Sequence, residues 1–223
     1  FGVNANKVFY YGGDVAGVGG TGFFTQTGTT NITNGSWVHV AMIVNGTSVT
    51  GYVNGTQDSG LSKTLGSNIT YRGGSINTIG VRSGAFGSYG WWNGTVDQVR
   101  VFDKAISSSE ITTLYGETFA STTISTTDIF DDDSGIALYQ LDGNANDTGG
   151  ISGRLTGDAA IFNGSTSLLT MNQASVLGNI FGVTFWINIP SVPPDNDWIF
   201  QFSYGQNVGL YIDSNGVLQV YIG

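Results

Sequence analysis

The sequence predicts an all-β fold, a two-sheet sandwich carrying one short helix. Three observations lead there. Turn formers dominate: the 223 residues include 35 glycines, while charged residues make only 10% and aromatics 13%. That composition suits many short strands around a buried core. Asn-Gly pairs stand between β-branched runs, the strongest short-range hairpin signal, because both central residues of a type I′ turn need positive φ. Finally, Gly90–Tyr115 (GWWNGTVDQVRVFDKAISSSEITTLY) runs from a β-branched strand straight into a short capped helix.

Taken in order, Lys7–Tyr11 reads as a strand and Gly12–Thr21 as a glycine-rich loop. Trp37–Val44 (WVHVAMIV) is apolar on both faces, which marks a central strand. Asn45-Gly46, Val49–Val53 and Asn54-Gly55 continue as hairpin turns and strand. Asn77–Arg82 is another short strand, and Thr95–Phe102 follows with Val96, Val99 and Val101 as core candidates. Ser107-x-x-Glu110 fits a capping box, and Gly116 stands where a C′ glycine belongs. The helix is about two turns long and must pack Ile111 and Leu114 on the sandwich. Residues 117–135 are rich in Thr, Ser and Asp and read as a linker. Beyond it β patterning resumes at Ile136–Leu141, Ala160–Met171, Val183–Ile189, Trp198–Tyr204, Val208–Ile212 and Val217–Ile222. The last two are joined by an Asp213-Ser214-Asn215-Gly216 turn. Tyr211–Gly223 (YIDSNGVLQVYIG) lies on Phe1–Gly13 (FGVNANKVFYYGG) without a gap, a repeat of about 210 residues.

A net charge of −9 with seven basic residues repels phosphate backbones, so nucleic acid is not an expected partner. No apolar run reaches the length of a membrane span. With no cysteine, disulfides and thiolate chemistry are excluded. The chain opens at Phe1 without an initiator Met, which reads as a processed product or a piece of something longer.

Asn93–Tyr115 (NGTVDQVRVFDKAISSSEITTLY) resembles the C-terminal signature of laminin G-like, concanavalin A-like domains, a G-x-[IV]-D-x-V-R-[IV] strand leading into an A-[LI]-S-x-x-E-I helix. Trp37–Gly55 resembles the paired central strands of that family. Ala137–Gly149, Ile161–Ser167 and Val183–Ile189 resemble its N-terminal half. The resemblance implies a concanavalin A-like jelly roll with its halves in unusual order: residues 1–116 a C-terminal half, 117–135 a linker, 136–223 an N-terminal half. Either the chain straddles two tandem domains, or it is one circularly arranged sandwich. Half a sandwich cannot bury its inner face alone, so pairing within the chain or completion by a neighbouring copy is expected.

Several residues are candidates for chemistry. Asp142, Asn144 and Asp147 place oxygen ligands beside glycine turns, in a pattern suited to Ca²⁺ or to turn-forming side-chain bonds. The resemblance adds Asp97 as a contributor to a structural Ca²⁺. Catalysis is not expected: no strand carries paired carboxylates, and the single His39 lies in a core pattern where a packed, hydrogen-bonded role is the ordinary one. Tyr89, Trp91 and Trp198 are the candidates for stacking on sugar rings, while Trp92 reads as core. Eight N-x-S/T sequons begin at Asn31, Asn34, Asn45, Asn54, Asn68, Asn93, Asn146 and Asn163. The expectation is a non-catalytic structural and adhesion repeat of a virion fibre or extracellular filament, on a virion or cell surface. Its partners would be neighbouring copies of itself and a glycan or cell-surface ligand. The stretch DIFDDDSGIALYQLDGNANDTGG also resembles linkers between such domains in bacterial virus fibre proteins. The alternatives are a carbohydrate-binding module of a polysaccharide-degrading enzyme and a bacterial or archaeal surface adhesin.

Overall fold

The structure is a computed structural model. It describes residues 2–3, 7–13, 23–31, 35–65, 68, 77–80, 91–117, 128–139, 160–163, 165, 169–171, 179–189, 197–202, 208–213 and 217–222. The strands are β1 (Gly2–Val3), β2 (Lys7–Gly13), β3 (Phe23–Asn31), β4 (Trp37–Asn45), β5 (Ser48–Val53), β6 (Thr56–Thr64), β7 (Asn77–Ile79) and β8 (Asn93–Phe102). Helix α1 (Ser108–Gly116) is followed by β9 (Gly135–Tyr139), β10 (Ala160–Asn163), β11 (Leu169–Met171), β12 (Ile180–Asn188), β13 (Asp197–Phe202), β14 (Val208–Asp213) and β15 (Val217–Ile222).

Two sheets form, consistent with a concanavalin A-like sandwich. One runs β1-β2-β15-β14-β13-β7-β11, with β3 on β2. The other runs β10-β8-β12-β4-β5-β6, with β9 on β8. Each sheet mixes strands from both parts of the sequence. β12 lies between β4 and β8, antiparallel to both, from Ile180 opposite Asn45 to Asn188 opposite Trp37.

The central reading of Trp37–Val44 holds, since β4 has β12 on one edge and β5 on the other. Its inward residues Val38, Val40, Met42 and Val44 join Phe181, Val183, Phe185 and Ile187 of β12 in the core between the sheets. Val96, Val99 and Val101 of β8 join them, although their spacing breaks simple alternation. A β-bulge resolves it: Gln98 has φ +48°, and two β8 residues stand opposite one of β12 between Trp186 and Thr184.

The Asn54-Gly55 turn has positive φ at both residues, as a type I′ hairpin requires. The first hairpin is shifted by one from the Asn45-Gly46 expectation. Asn45 is the last residue of β4 and pairs with Ser48, so Gly46, at φ +60°, opens the two-residue turn. Gly55 also has no room for a Cβ, which would stand 2.7 Å from Tyr115 Cδ1.

The capping box is present: the Ser107 hydroxyl accepts from the Glu110 N–H, and the Glu110 carboxylate accepts from the Ser107 N–H. The helix does not end on a left-handed Gly116. Gly116 is its last residue, and Glu117 is the cap, donating its N–H to the carbonyls of Leu114 and Thr113. Within the Thr/Ser/Asp-rich stretch, residues 128–134 fold back on the helix side. Ile129 and Phe130 pack against the cluster of Ala41, Ile43, Tyr52, Phe102, Ile106, Ile111 and Leu114. Lys104 holds this turn by pairing with both Glu110 and Asp132 while its ammonium sits 4.7 Å from the Phe130 ring centre.

Candidate functional site

Trp91 and Trp92 stand immediately before β8, at a seam between the sheets. The Trp92 backbone N–H donates to the Gly80 carbonyl, just past β7 in the opposite sheet, at 2.9 Å. Trp92 is 1% exposed and fills the core, as expected. Its indole lies against Gly94, where an added Cβ would come within 2.7 Å of both the ring and the Asn188 carbonyl. Trp91 is half-buried, beside the backbone bond from Trp92 to Gly80. A flat aromatic surface in such a place can pack on the apolar face of a sugar ring. Trp198 falls on β13 opposite Tyr211. Tyr89 lies outside the described residues, and so do Asp142, Asn144 and Asp147.

Asp97 is 2% exposed on the outer face of its sheet, in register with Trp186. Among the described residues no three acidic or histidine groups gather to hold a metal.

The same outer face carries a cluster that local pattern did not reveal. His39, Trp186 and Asp97 stand in one row across β4, β12 and β8. The His39 ring meets Trp186 edge-on at 5.2 Å, and Tyr115 of α1 stacks on Trp186 at 5.7 Å. His39 is 1% exposed, and its Nδ1 has no hydrogen-bond partner among the described residues. Its ring is thus packed rather than hydrogen-bonded at that nitrogen. Burial, and after it the nearby Arg100 charge, lower its pKa to about 3, so the ring is neutral at pH 7. One row on, Arg100 pairs with Glu117 at 2.9 Å beneath the end of α1. The only hint in the sequence is that the helix's capping residue is acidic.

The remaining carboxylates with clear roles also hold the fold. Asp58, 1% exposed, accepts from the backbone N–H groups of Thr29, Thr30 and Gly60 and from the Thr29 hydroxyl, tying β6 to β3 of the other sheet. Burial alone would raise its pKa, but these bonds outweigh it and keep it below the ordinary aspartate value. Glu110 and Asp132 are engaged by Lys104, and Glu117 by Arg100. Each of these four is placed to brace the fold.

With two packed sheets, a capped helix and aromatic side chains at a sheet seam, the molecule has the build of a lectin-type jelly roll. The family model for the concanavalin A-like lectin/glucanases superfamily, in its laminin G form, matches residues 1–112, and the chain belongs to that superfamily. No curated protein and no solved structure matches the chain. Membership fits a carbohydrate-binding or adhesion role, and the laminin G-like family is typically non-catalytic. No helix among the described residues is long and apolar enough to cross a membrane.

Proposed function

We propose that the chain is a non-catalytic adhesion and structural unit that attaches weakly to glycans and associates with further copies of itself. The observation that carries the binding half is the half-buried Trp91, held by the Trp92–Gly80 bond at the seam between the sheets of a lectin-type sandwich. A sugar would stack on that ring, and repetition along an assembly would strengthen contacts that are weak singly. Laminin G-like domains are often extracellular, and the reading places this one on a virion fibre, filament or cell surface. Two further parts belong to the reading. The division into residues 1–116, a linker at 117–135 and 136–223 describes one family unit in circular order, supported by β12 lying between β4 and β8. A structural Ca²⁺ held by Asp97 with Asp142, Asn144 and Asp147 would raise the melting temperature, and EDTA would lower it.

The test is binding of the full chain to a panel of immobilised glycans, with competition by the free sugar. Retention on at least one glycan, displaced by its soluble form, is the expected result. Retention on none, or retention that soluble sugar does not displace, would sink the binding half.

A further inference from the structure

β2 and β15 are relatives in sequence and neighbours in the sheet. Laid on each other without a gap, Tyr211 falls on Phe1 and the following residues keep step. In the sheet the two strands run in parallel, with Gln219 opposite Phe9, Val220 opposite Tyr10, Tyr221 opposite Tyr11 and Ile222 opposite Gly12. The offset that pairs them is the offset that aligns them, so each residue lies beside its own counterpart. Each strand also has an antiparallel mate just upstream, β1 for β2 and β14 for β15. The sheet therefore holds two similar strand pairs, their registers one residue apart (Gly2 opposite Phe9, Ile212 opposite Leu218), joined through equivalent strands. Every other pairing among the described residues of both sheets is antiparallel.

Parallel, in-register pairing of counterpart strands is the contact that successive copies of one chain make when they stack through their backbones. β15 has β2 on one side and β14 on the other, so a second copy can offer it the same β2 edge, in the same register, once the joint within the chain opens. The contact joins two different surfaces of the molecule, so a one-way exchange between copies is head-to-tail and leaves one β2 and one β15 open to further copies, whereas a reciprocal exchange closes as a dimer. We propose that the β2–β15 joint is also made between copies, β15 of one chain pairing with β2 of the next. This rests on the self-association part of the function proposed for the chain and supplies its surface. Within one chain the joint is favoured by an effective concentration on the order of millimolar, so exchange between copies should rise with protein concentration.

The chain has no cysteine, which makes cross-linking clean. Neighbouring strands lie about 4.8 Å apart, within the roughly 4.4–6.8 Å that a disulfide spans between Cα atoms. Full chains carrying Tyr10→Cys or Val220→Cys are mixed and oxidised over a range of concentrations. Mixed dimers several-fold more abundant than either homodimer, increasing with concentration and reduced when Val217→Cys replaces Val220→Cys, are expected. The doubly substituted chain, oxidised at high dilution, reports whether the joint forms at all. Closure within that chain without any excess of mixed dimer overturns exchange, and failure of both overturns the joint itself. Sedimentation of the unsubstituted chain and glycan retention are measured alongside. Assembly or glycan binding that persists without mixed dimer defeats this inference and leaves the broader function standing.

Discussion

The two faces of the β8–β12–β4–β5 sheet are packed by different chemistry. The inner face is built from Val38, Val40, Met42, Val44, Val96, Val99, Val101, Phe181, Val183, Phe185 and Ile187, all apolar and buried against the other sheet. The outer face interleaves apolar contacts under α1 with His39, Asp97, Arg100 and Thr184, each at most 3% exposed. Apolar burial is nondirectional and insensitive to pH, whereas buried polar groups are tolerated only with particular partners. The inner face should therefore set how stable the sandwich is. The outer face should set how that stability depends on pH and on specific pairs.

The largest expected effect is on the inner face. Phe185→Ala should cost about 3–5 kcal/mol, because a fully buried aromatic leaves a cavity. Urea denaturation at pH 7 and pH 5 checks it, and the loss should be nearly the same at both.

Next comes the buried pair on the outer face. Glu117→Gln should cost about 3 kcal/mol, since it leaves the Arg100 charge buried beside a neutral amide. The double change Arg100→Met with Glu117→Leu should recover most of that loss. A double variant as unstable as the sum of its parts would show that the two side chains do not act as a pair.

His39 gives an effect of similar kind that appears only on acidification. Its pKa is about 3 in the folded chain against 6.5 when exposed. The unfolded chain therefore binds the extra proton first, and stability present above pH 6.5 drains away as the pH falls toward 3. Between pH 6.5 and 4.5 the loss should reach about 2–3 kcal/mol. His39→Gln should flatten that stretch of the stability–pH curve. Asp58, whose pKa is held below the ordinary aspartate value of 3.8, should add a separate loss at lower pH that His39→Gln leaves in place.

The smallest effect is local. Ser107→Ala removes one side of the capping box and should cost about 1 kcal/mol, read by thermal unfolding.

The same contrast explains what could be read from the sequence. Trp37–Val44 was legible as a central strand because it is apolar on both faces, and Val96, Val99 and Val101 were legible as core residues of a β-branched run. The bulge at Gln98 that reconciles their spacing was not, because it is defined by the opposing strand. The capping box was legible because both its members lie within one turn. The end of α1 at Glu117 was not: it is bound up with Arg100, far back on β8. The His39–Trp186–Tyr115 stack joins three distant segments, and local periodicity carries no trace of it. Of the two adjacent tryptophans, Trp92 could be assigned to the core from its place before the strand. The partial exposure of Trp91 depends on how the seam closes.

The most direct test of the binding account is titration of wild-type chain and Trp91→Ala with a glycan retained on the panel. Circular dichroism and the melting temperature serve as controls for the fold. The account predicts at least a tenfold weaker affinity for Trp91→Ala, about 1.4 kcal/mol, with a melting temperature within a few degrees of wild type. Equal affinity in the two proteins would contradict it.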